Sequence, residues 1–155
     1  MEKTVIARVD KFLEPYEELK AIRFDASTHT ADMAADTLGV TPAEIAKTLC
    51  FSVDGSPLLV VTCGDKKVDA KRLARAVGGR KARFADAETV ARVTGFPPGG
   101  VSPIGLLTPL PILLDESLYR FKVVYTAAGT PNSALPIKPD QLLEITHGSL
   151  VDICF

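Results

Sequence analysis

Residues 94–105 constrain the fold of this chain more than any other stretch, because they include four glycines and three prolines. Glycine and proline at this density are incompatible with an ordinary helix or a central strand. Apolar side chains are interspersed, which a flexible solvent linker would not favour; they are Phe96, Val101 and Ile104. The stretch predicts a stiff loop whose bare backbone at Gly99 and Gly100 can approach a ligand closely and point N–H groups at it. A plain structural turn is the alternative.

The size and composition of the chain fit one domain spanning residues 1–155, with enough length for a real core. A hydrophobic fraction of 46% and a charged fraction of 24% are ordinary for a soluble protein. No apolar run approaches the length needed to cross a bilayer, and the first residues do not form a signal peptide. We therefore expect a cytoplasmic protein with no membrane partner.

The cysteines and histidines indicate neither a disulfide framework nor a metal site. Cys50, Cys63 and Cys154 lie in apolar, strand-like runs, which is typical of buried thiols in a reducing compartment. His29 and His147 have no zinc-binding spacing relative to them. Nucleotide hydrolysis and hydride transfer are disfavoured as well, because neither a Walker loop nor a dinucleotide fingerprint is present. Neither a metal nor another cofactor is expected.

The pattern of apolar residues and capping residues predicts a domain in which helices and strands are intermixed. Helices are predicted over residues 2–16, 31–38 (capped by Thr28 or Thr30), 69–77, 86–94 and 139–146, with a short one opened by a capping box at residues 41–44. Strands are predicted over residues 19–24, 48–53, 57–63, 111–115, 121–126, 134–137 and 151–154. The expected fold class is α+β, with a mixed, mostly antiparallel, partly barrel-like sheet surrounded by helices in one compact domain.

Lys47 is the charged residue that is hardest to explain structurally, since it lies at the predicted junction of a short helix and a buried strand. Its side chain could simply extend along the apolar surface to water. The functional interpretation is an ammonium at the edge of a pocket, able to pair with a phosphate or polarise a carbonyl. The hydroxyl of Thr48 could assist it.

Basic residues crowd one stretch although the formal net charge of the chain is −1. Between residues 66 and 83, Asp69 is the only acid among Lys66, Lys67, Lys71, Arg72, Arg75, Arg80, Lys81 and Arg83. Such a patch can neutralise phosphates while the whole molecule stays close to neutral. The alternative interpretation is the solvated face of a helix.

Several segments, taken in order, carry a family resemblance. After the helix at residues 30–40 come Ile45-Ala46-Lys47-Thr48-Leu49, residues 60–69, Thr94-Gly95-Phe96, Gly99-Gly100-Val101-Ser102-Pro103-Ile104-Gly105, residues 140–143 and residues 151–153. In this order they resemble the YbaK family, also called the prolyl-tRNA synthetase-associated domain, over roughly residues 25–154. The resemblance implies a freestanding enzyme that hydrolyses the ester between a wrong amino acid and the terminal ribose of a tRNA, often tRNA-Pro.

The resemblance also implies which residues form the site. The essential lysine of the family falls on Lys47, and its G-x-x-x-P substrate loop falls on Gly99, Gly100, Val101, Ser102 and Pro103. A second loop, at residues 127–133, lies where relatives line the amino-acid pocket, so Gly129, Thr130 and Asn132 are expected to bind substrate together with Thr48. The cysteine-removing members of the family have basic residues in this loop, and this chain lacks them. The resemblance therefore does not imply which amino acid is removed.

The mechanism expected from chemistry and resemblance needs no side-chain nucleophile, because the ester is already activated. Backbone N–H groups of residues 100–102 would bind the aminoacyl carbonyl or fix the α-amino group nearby, while Lys47 would hold the terminal adenosine and orient water. A small pocket would exclude the larger correct amino acid. The acceptor end of the tRNA would be held by Lys66, Lys67, Lys71, Arg72 and Arg75, with an aminoacyl-tRNA synthetase as a further partner and no DNA.

Two other functions fit the same sequence. The domain could have lost turnover and serve as a tRNA-binding or synthetase-binding module with an intact pocket. It could also be an esterase or amidase that acts on a small substrate, although the basic stretch makes this alternative less attractive.

Overall fold

The computed structural model describes residues 2–24, 30–97 and 100–155. Within them, the helices are α1 (Glu2–Leu13), α2 (Ala31–Leu38), α3 (Ala70–Ala76), α4 (Ala87–Thr94) and α5 (Pro139–Thr146). The strands are β1 (Ile22–Arg23), β2 (Ile45–Val53), β3 (Ser56–Cys63), β4 (Ala82–Phe84), β5 (Ile112–Asp115), β6 (Val124–Thr126), β7 (Ser133–Ile137) and β8 (Ser149–Val151). No helix of this described part combines the length and the apolar character needed to cross a membrane.

All the strands belong to one mixed sheet, as predicted. Its order is β1-β7-β6-β2-β3-β5-β8, and β4 pairs with β2 beside this path. Strand β2 is antiparallel to β3 and β4, whereas β6 joins it in parallel. The sheet stays open, because β1 and β8 lie at the two ends of the order and do not pair with each other.

The β2–β3 hairpin is the centre of the sheet and separates two apolar cores. Along β3, Leu59, Val61 and Cys63 pack into the larger core with α1 and α5, because side chains of a strand alternate between its faces. The intervening Leu58 and Val60 pack into the smaller core with Leu73 of α3. Both faces of β3 are therefore covered, as its continuously apolar sequence predicts.

Helix boundaries follow the predicted capping residues closely. Thr30 caps α2, its hydroxyl accepting a hydrogen bond from the Met33 N–H (3.1 Å). At the other end, Gly39 closes the helix with a φ of 73°, in the left-handed region that favours glycine. Asp69 and Asp86 likewise cap α3 and α4. Thr28, the other candidate cap of α2, lies outside the described residues.

The predicted position of Lys47 at a helix–strand junction is wrong. The capping box at Thr41 and Glu44 is present, but it opens only a 3₁₀ turn over Pro42–Glu44. The extended conformation begins at Ile45, because β6 pairs with β2 from that residue onward. Lys47 is therefore the third residue of a strand.

Two other strands differ from the prediction. Strand β4 was not predicted. The last strand lies at Ser149–Val151 instead of residues 151–154, where a single bridge joins Cys154 to Val68.

Candidate functional site

A break in the sheet positions the candidate site. On the side of β2 away from β3, β6 pairs with Ile45 and Ala46, and β4 pairs with residues 51–53. Within the described chain, no strand covers residues 47–49 on that side. A cavity of about 370 Å³ opens there. Its lining residues are Thr30, Ala31, Ala34, Leu38, Ile45, Ala46, Lys47, Thr48, Leu49, Gly64, Val101, Tyr125, Thr126, Ala127, Ser133 and Ala134.

The main chain of Thr48 faces this break. In an antiparallel pair, the N–H and C=O groups of successive residues point alternately toward and away from the partner strand. The Gly64 N–H donates to the Ile45 carbonyl (2.7 Å), so the odd-numbered residues of β2 point their main-chain groups toward β3. The Ala85 N–H donates to the carbonyl of Cys50 from the opposite side, in agreement with this alternation. Thr48 therefore offers a donor and an acceptor to a ligand in the cavity.

The Lys47 side chain lies on the face of β2 that it shares with Thr62, its directly opposite partner on β3. The Thr62 hydroxyl lies 3.2 Å from the Cys154 sulfur. Burial raises the pKa of the Cys154 thiol to about 11, and the Thr62 hydroxyl and the Lys47 charge partly oppose this rise. In the part of the chain that the structure describes, no ion pair engages Lys47. Its ammonium is therefore available to an anionic or carbonyl ligand at the cavity.

Cys50 and Cys154 are weak nucleophiles near neutral pH. Cys50, Cys63 and Cys154 are all free and buried, as predicted. Burial raises the pKa of Cys50 as it does that of Cys154. A thiol with a raised pKa is a weak nucleophile at neutral pH, because the thiolate is the reactive form.

The two small-residue loops pack directly against each other. A Cβ atom at Gly100 would lie 2.9 Å from backbone atoms of Thr130, so only glycine allows this close approach. The Gly100 N–H is already used, since it donates to the Pro97 carbonyl (3.0 Å). Val101 lines the cavity and makes no hydrogen bond among the described residues, so its N–H is a candidate donor to a ligand. Gly99 lies outside the described residues.

Ser102 has a structural role in its loop. Its buried hydroxyl accepts a hydrogen bond from the Ile104 N–H (3.1 Å), which holds the turn after Pro103. Neither Ser102 nor Pro103 is among the lining residues of the cavity, and both are buried. Their contact with substrate stays a prediction.

Side chains of the second loop hold the loop in place by hydrogen bonds. The Thr130 hydroxyl donates to the side-chain oxygen of Asn132 (2.8 Å), and the Asn132 amide donates to the Phe24 carbonyl (2.9 Å). Gly129 is buried with a φ of 102°. None of these three predicted residues lines the cavity, whereas the neighbouring Ser133 does. The Ser133 hydroxyl accepts from the Ala128 and Thr130 N–H groups and donates to the Thr130 carbonyl, so it fixes the shape of the loop.

Helix α2 forms a wall of the cavity that the sequence did not single out as functional. Ala31 and Ala34 face the cavity, together with Leu38. Their spacing of three and four residues places them on one face of the helix. Small residues at this spacing could have indicated a helix that faces a cavity, although alanine is also common wherever helices pack closely.

The basic stretch begins at the edge of the cavity, where Gly64 is a lining residue. Lys67, Lys71 and Arg75 are exposed and form no salt bridge among the described residues, and Lys66 is half-buried. Arg72 is engaged, because it donates to the Cys154 carbonyl (2.8 Å) and pairs with Asp69 and Asp152. The structure therefore supports the four other residues as phosphate contacts better than it supports Arg72.

An acid beside the basic stretch is neutralised within the protein. Arg120 donates two hydrogen bonds to Asp65, at 2.7 and 3.1 Å. This bidentate pairing lowers the pKa of the Asp65 carboxyl. The negative charge next to Lys66 is thereby balanced, which reduces its repulsion of an approaching phosphate.

Known proteins resemble this chain in sequence and in structure. The family model of the aminoacyl-tRNA editing domain matches residues 25–145. The chain is 37% identical to the uncharacterized protein YwhH of Bacillus subtilis over 92% of each chain. It is 27% identical to EbsC of Enterococcus faecalis, provisionally named a Cys-tRNA(Pro)/Cys-tRNA(Cys) deacylase, over 94% of this chain and 88% of that one. A crystal structure described provisionally as a trans-editing enzyme for prolyl-tRNA synthetase superposes with a TM-score of 0.90 at 36% identity, over 97% of each chain.

Proposed function

Because the chain belongs to the aminoacyl-tRNA editing domain family, we propose that it is a trans-acting deacylase that hydrolyses the ester of a mischarged tRNA. The substrate would be a tRNA of the tRNA-Pro type, or a related one, that carries a small wrong amino acid. The observation that carries this proposal is Lys47, which lies at a cavity in a break of the sheet and has no ion-pair partner among the described residues. Beside it, the outward main-chain groups of Thr48 have no strand partner in the described chain.

In the proposed reaction, water is the nucleophile. Its oxygen attacks the aminoacyl carbonyl carbon, the bond from that carbon to the ribose oxygen breaks, and a proton passes from the water to the ribose oxygen. The products are the free amino acid and the tRNA. The protein has to hold the ester and to stabilise the negative charge that develops on the carbonyl oxygen.

The cavity offers suitable groups for both tasks. The main-chain N–H groups of Val101 and Thr48 are candidate donors to the carbonyl oxygen. The Thr48 carbonyl is a candidate acceptor for the α-amino group. Lys47 would bind the ribose or phosphate of the terminal adenosine and help to orient the water. Gly100, whose N–H is taken by Pro97, would contribute through its close packing on Thr130.

Selection of the amino acid would follow from size. Alanine side chains from α2 and from the second loop line the cavity, at Ala31, Ala34 and Ala127. A narrow pocket admits a small wrong side chain and excludes a larger correct one, which is the logic of a second sieve in editing.

Deacylation of a panel of alanyl-, cysteinyl-, seryl- and threonyl-tRNA tests the proposal. Wild type should hydrolyse one or a few members, and Lys47→Ala should lower the rate by about 100-fold or more. The matched control is Lys20→Ala, which removes an exposed lysine outside the cavity and should keep wild-type rates. Lys47→Ala should also keep much of the affinity of the wild type for tRNA.

The same panel separates the alternatives. Binding of tRNA without any hydrolysis above the buffer rate would contradict the enzyme proposal and favour a tRNA-binding module. Hydrolysis that is unchanged at high salt would favour a small-molecule esterase, because tRNA binding through phosphates weakens as salt rises.

A further inference from the structure

Arg8 of α1 contacts both ends of the glycine–proline loop, residues 94–105. Its Nε donates to the Gly105 carbonyl (3.0 Å), and its Nη2 donates to the carbonyls of Gly95 (2.9 Å) and Thr94 (3.4 Å). The guanidinium also lies over the Phe96 ring, with its central carbon 4.8 Å from the ring centroid. One side chain thus joins the two points at which the loop leaves and re-enters the fold.

The glycines at these two points are fitted to α1. A Cβ at Gly95 would lie 2.6 Å from the Arg8 Nη2, and a Cβ at Gly105 would lie 3.2 Å from backbone atoms of Val9. Both glycines have φ values in the left-handed region, at 74° and 70°. The loop therefore turns sharply at each end and lies directly on the helix.

Helix α1 reaches the second loop as well. Val9 and Phe96 both lie against Gly129, where a Cβ would be 3.2 Å from either side chain. Gly100 packs on Thr130 farther along the same contact between the loops. The helix, the glycine–proline loop and the second loop thus form one packed unit behind the cavity that Val101 lines.

We propose that Arg8 is a positioning residue: by clamping both ends of the glycine–proline loop, it sets the position of Val101 at the cavity. The planar guanidinium suits this task, because its fork of N–H groups can satisfy several carbonyls at once. The segment that the family model matches begins at residue 25, so α1 lies outside it. The effect on catalysis rests on the proposed deacylase function, whereas the clamp itself does not.

Hydrogen exchange tests the clamp without reference to activity. In Arg8→Ala, the hydrogen-bonded amides of the two loops should exchange faster than in wild type, while those of the β2–β3 hairpin keep their protection. These loop amides belong to Gly100, Ile104, Ala128 and Thr130. Arg8→Lys should fall between the two, because an ammonium cannot form the same fork. Lys11→Ala is the matched control, since it removes an exposed basic side chain from the same helix and should leave all exchange unchanged.

Kinetics test the consequence for substrate. With a tRNA that wild type deacylates, Arg8→Ala should lower kcat/KM by up to about 100-fold and raise KM, since a misplaced loop binds the ester poorly. If Arg8→Ala only lowered the fraction of enzyme that is folded, the apparent kcat would fall and KM would stay unchanged. Unchanged loop exchange in Arg8→Ala would overturn the clamp, and faster exchange with unaltered KM would overturn its role in positioning substrate. An inactive wild type would refute the deacylase proposal, while the exchange data would still decide on the clamp.

Discussion

Two buried hydroxyl groups at the site have no hydrogen-bond partner among the described residues. They belong to Thr48 and Thr126, which both line the cavity. Ala46 pairs directly with Thr126 and lies two residues before Thr48, so both threonines point to the same face of the sheet. An unpaired buried hydroxyl costs about 1–3 kcal/mol, which structures seldom tolerate without a use for the group. Both hydroxyls are therefore candidates to bond a ligand in the cavity.

Replacing Thr126 by valine should therefore stabilise the protein. Thr126→Val keeps the shape of the side chain and removes the unpaired hydroxyl, so the free energy of unfolding should rise by about 1 kcal/mol. Thr62→Val is the matched control, because Thr62 is an equally buried strand threonine whose hydroxyl contacts Cys154. The free energy of unfolding of Thr62→Val should fall by about 1 kcal/mol. Chemical denaturation measures both, and destabilisation of Thr126→Val would show that its hydroxyl is satisfied in the native protein.

Single residues differ in how visible their roles are in the sequence. Lys47 stands out because a charge lies directly before an apolar, strand-like run, and the structure places it at the cavity. Thr126 gives no such signal, since threonine is common in strands and its missing partner appears only in three dimensions. Arg8 is equally inconspicuous, because the carbonyl groups to which it donates lie 87 and 97 positions away along the chain.

At the scale of elements, α2 controls the width of the cavity. Ala31 and Ala34 present methyl groups to it, and Ala35 on the same helix is buried. The helix begins at the Thr30 cap and ends at Gly39, so both of its ends are defined by local hydrogen bonds. A larger side chain on its inner face would project into the cavity.

Ala34→Leu should narrow the cavity and change the range of substrates. Hydrolysis of threonyl-tRNA should fall more than that of alanyl-tRNA, by at least about tenfold, because even one methylene in a tight pocket changes selectivity by that order. Thr37→Leu is the control, since it adds a similar side chain at an exposed position of the same helix. Initial deacylation rates on both substrates decide the matter, and an equal loss on both would argue against a size filter at α2.

Elements that depend on local chemistry could be predicted, and those that depend on distant partners could not. The caps at Thr30, Asp69 and Asp86 act within three residues of themselves, so their sequence signals were sufficient. Strand β4 is only three residues long and exists through its pairing with β2, some thirty residues earlier. The helix predicted at the capping box became a single turn, because pairing with β6 outweighed the local preference.

At the scale of the whole molecule, the site results from the order of strands. The break beside residues 47–49 forms because β6 and β4 cover different parts of β2 and leave a gap between them. The sequence predicted a mixed sheet but not its order, since strand partners lie far apart along the chain. It therefore indicated Lys47 and the loop at Val101, but not the walls of the cavity at α2 and Tyr125.

The charge distribution of the whole molecule leads to a test of how tRNA is held. The lysines after β3 and on α3 lie on a segment that starts at the cavity, which makes them candidates to contact the phosphates of a tRNA whose terminal adenosine enters the cavity. Each phosphate contact releases counterions, which makes affinity fall as salt rises. Arg72 differs from its neighbours because its guanidinium is held by Asp69, Asp152 and the Cys154 carbonyl.

The double variant Lys67→Ala, Lys71→Ala should therefore bind tRNA more weakly and with a lower salt dependence. The slope of log affinity against log salt should decrease in magnitude by about two, or about one per lost phosphate contact. Arg72→Ala should lower the thermal midpoint of unfolding and change this slope less, because its charge is already paired. Lys3→Ala, Lys11→Ala is the control for total charge, as it removes two exposed lysines from α1. If that control lowered the slope as much, tRNA affinity would depend on net charge alone and not on contacts with Lys67 and Lys71.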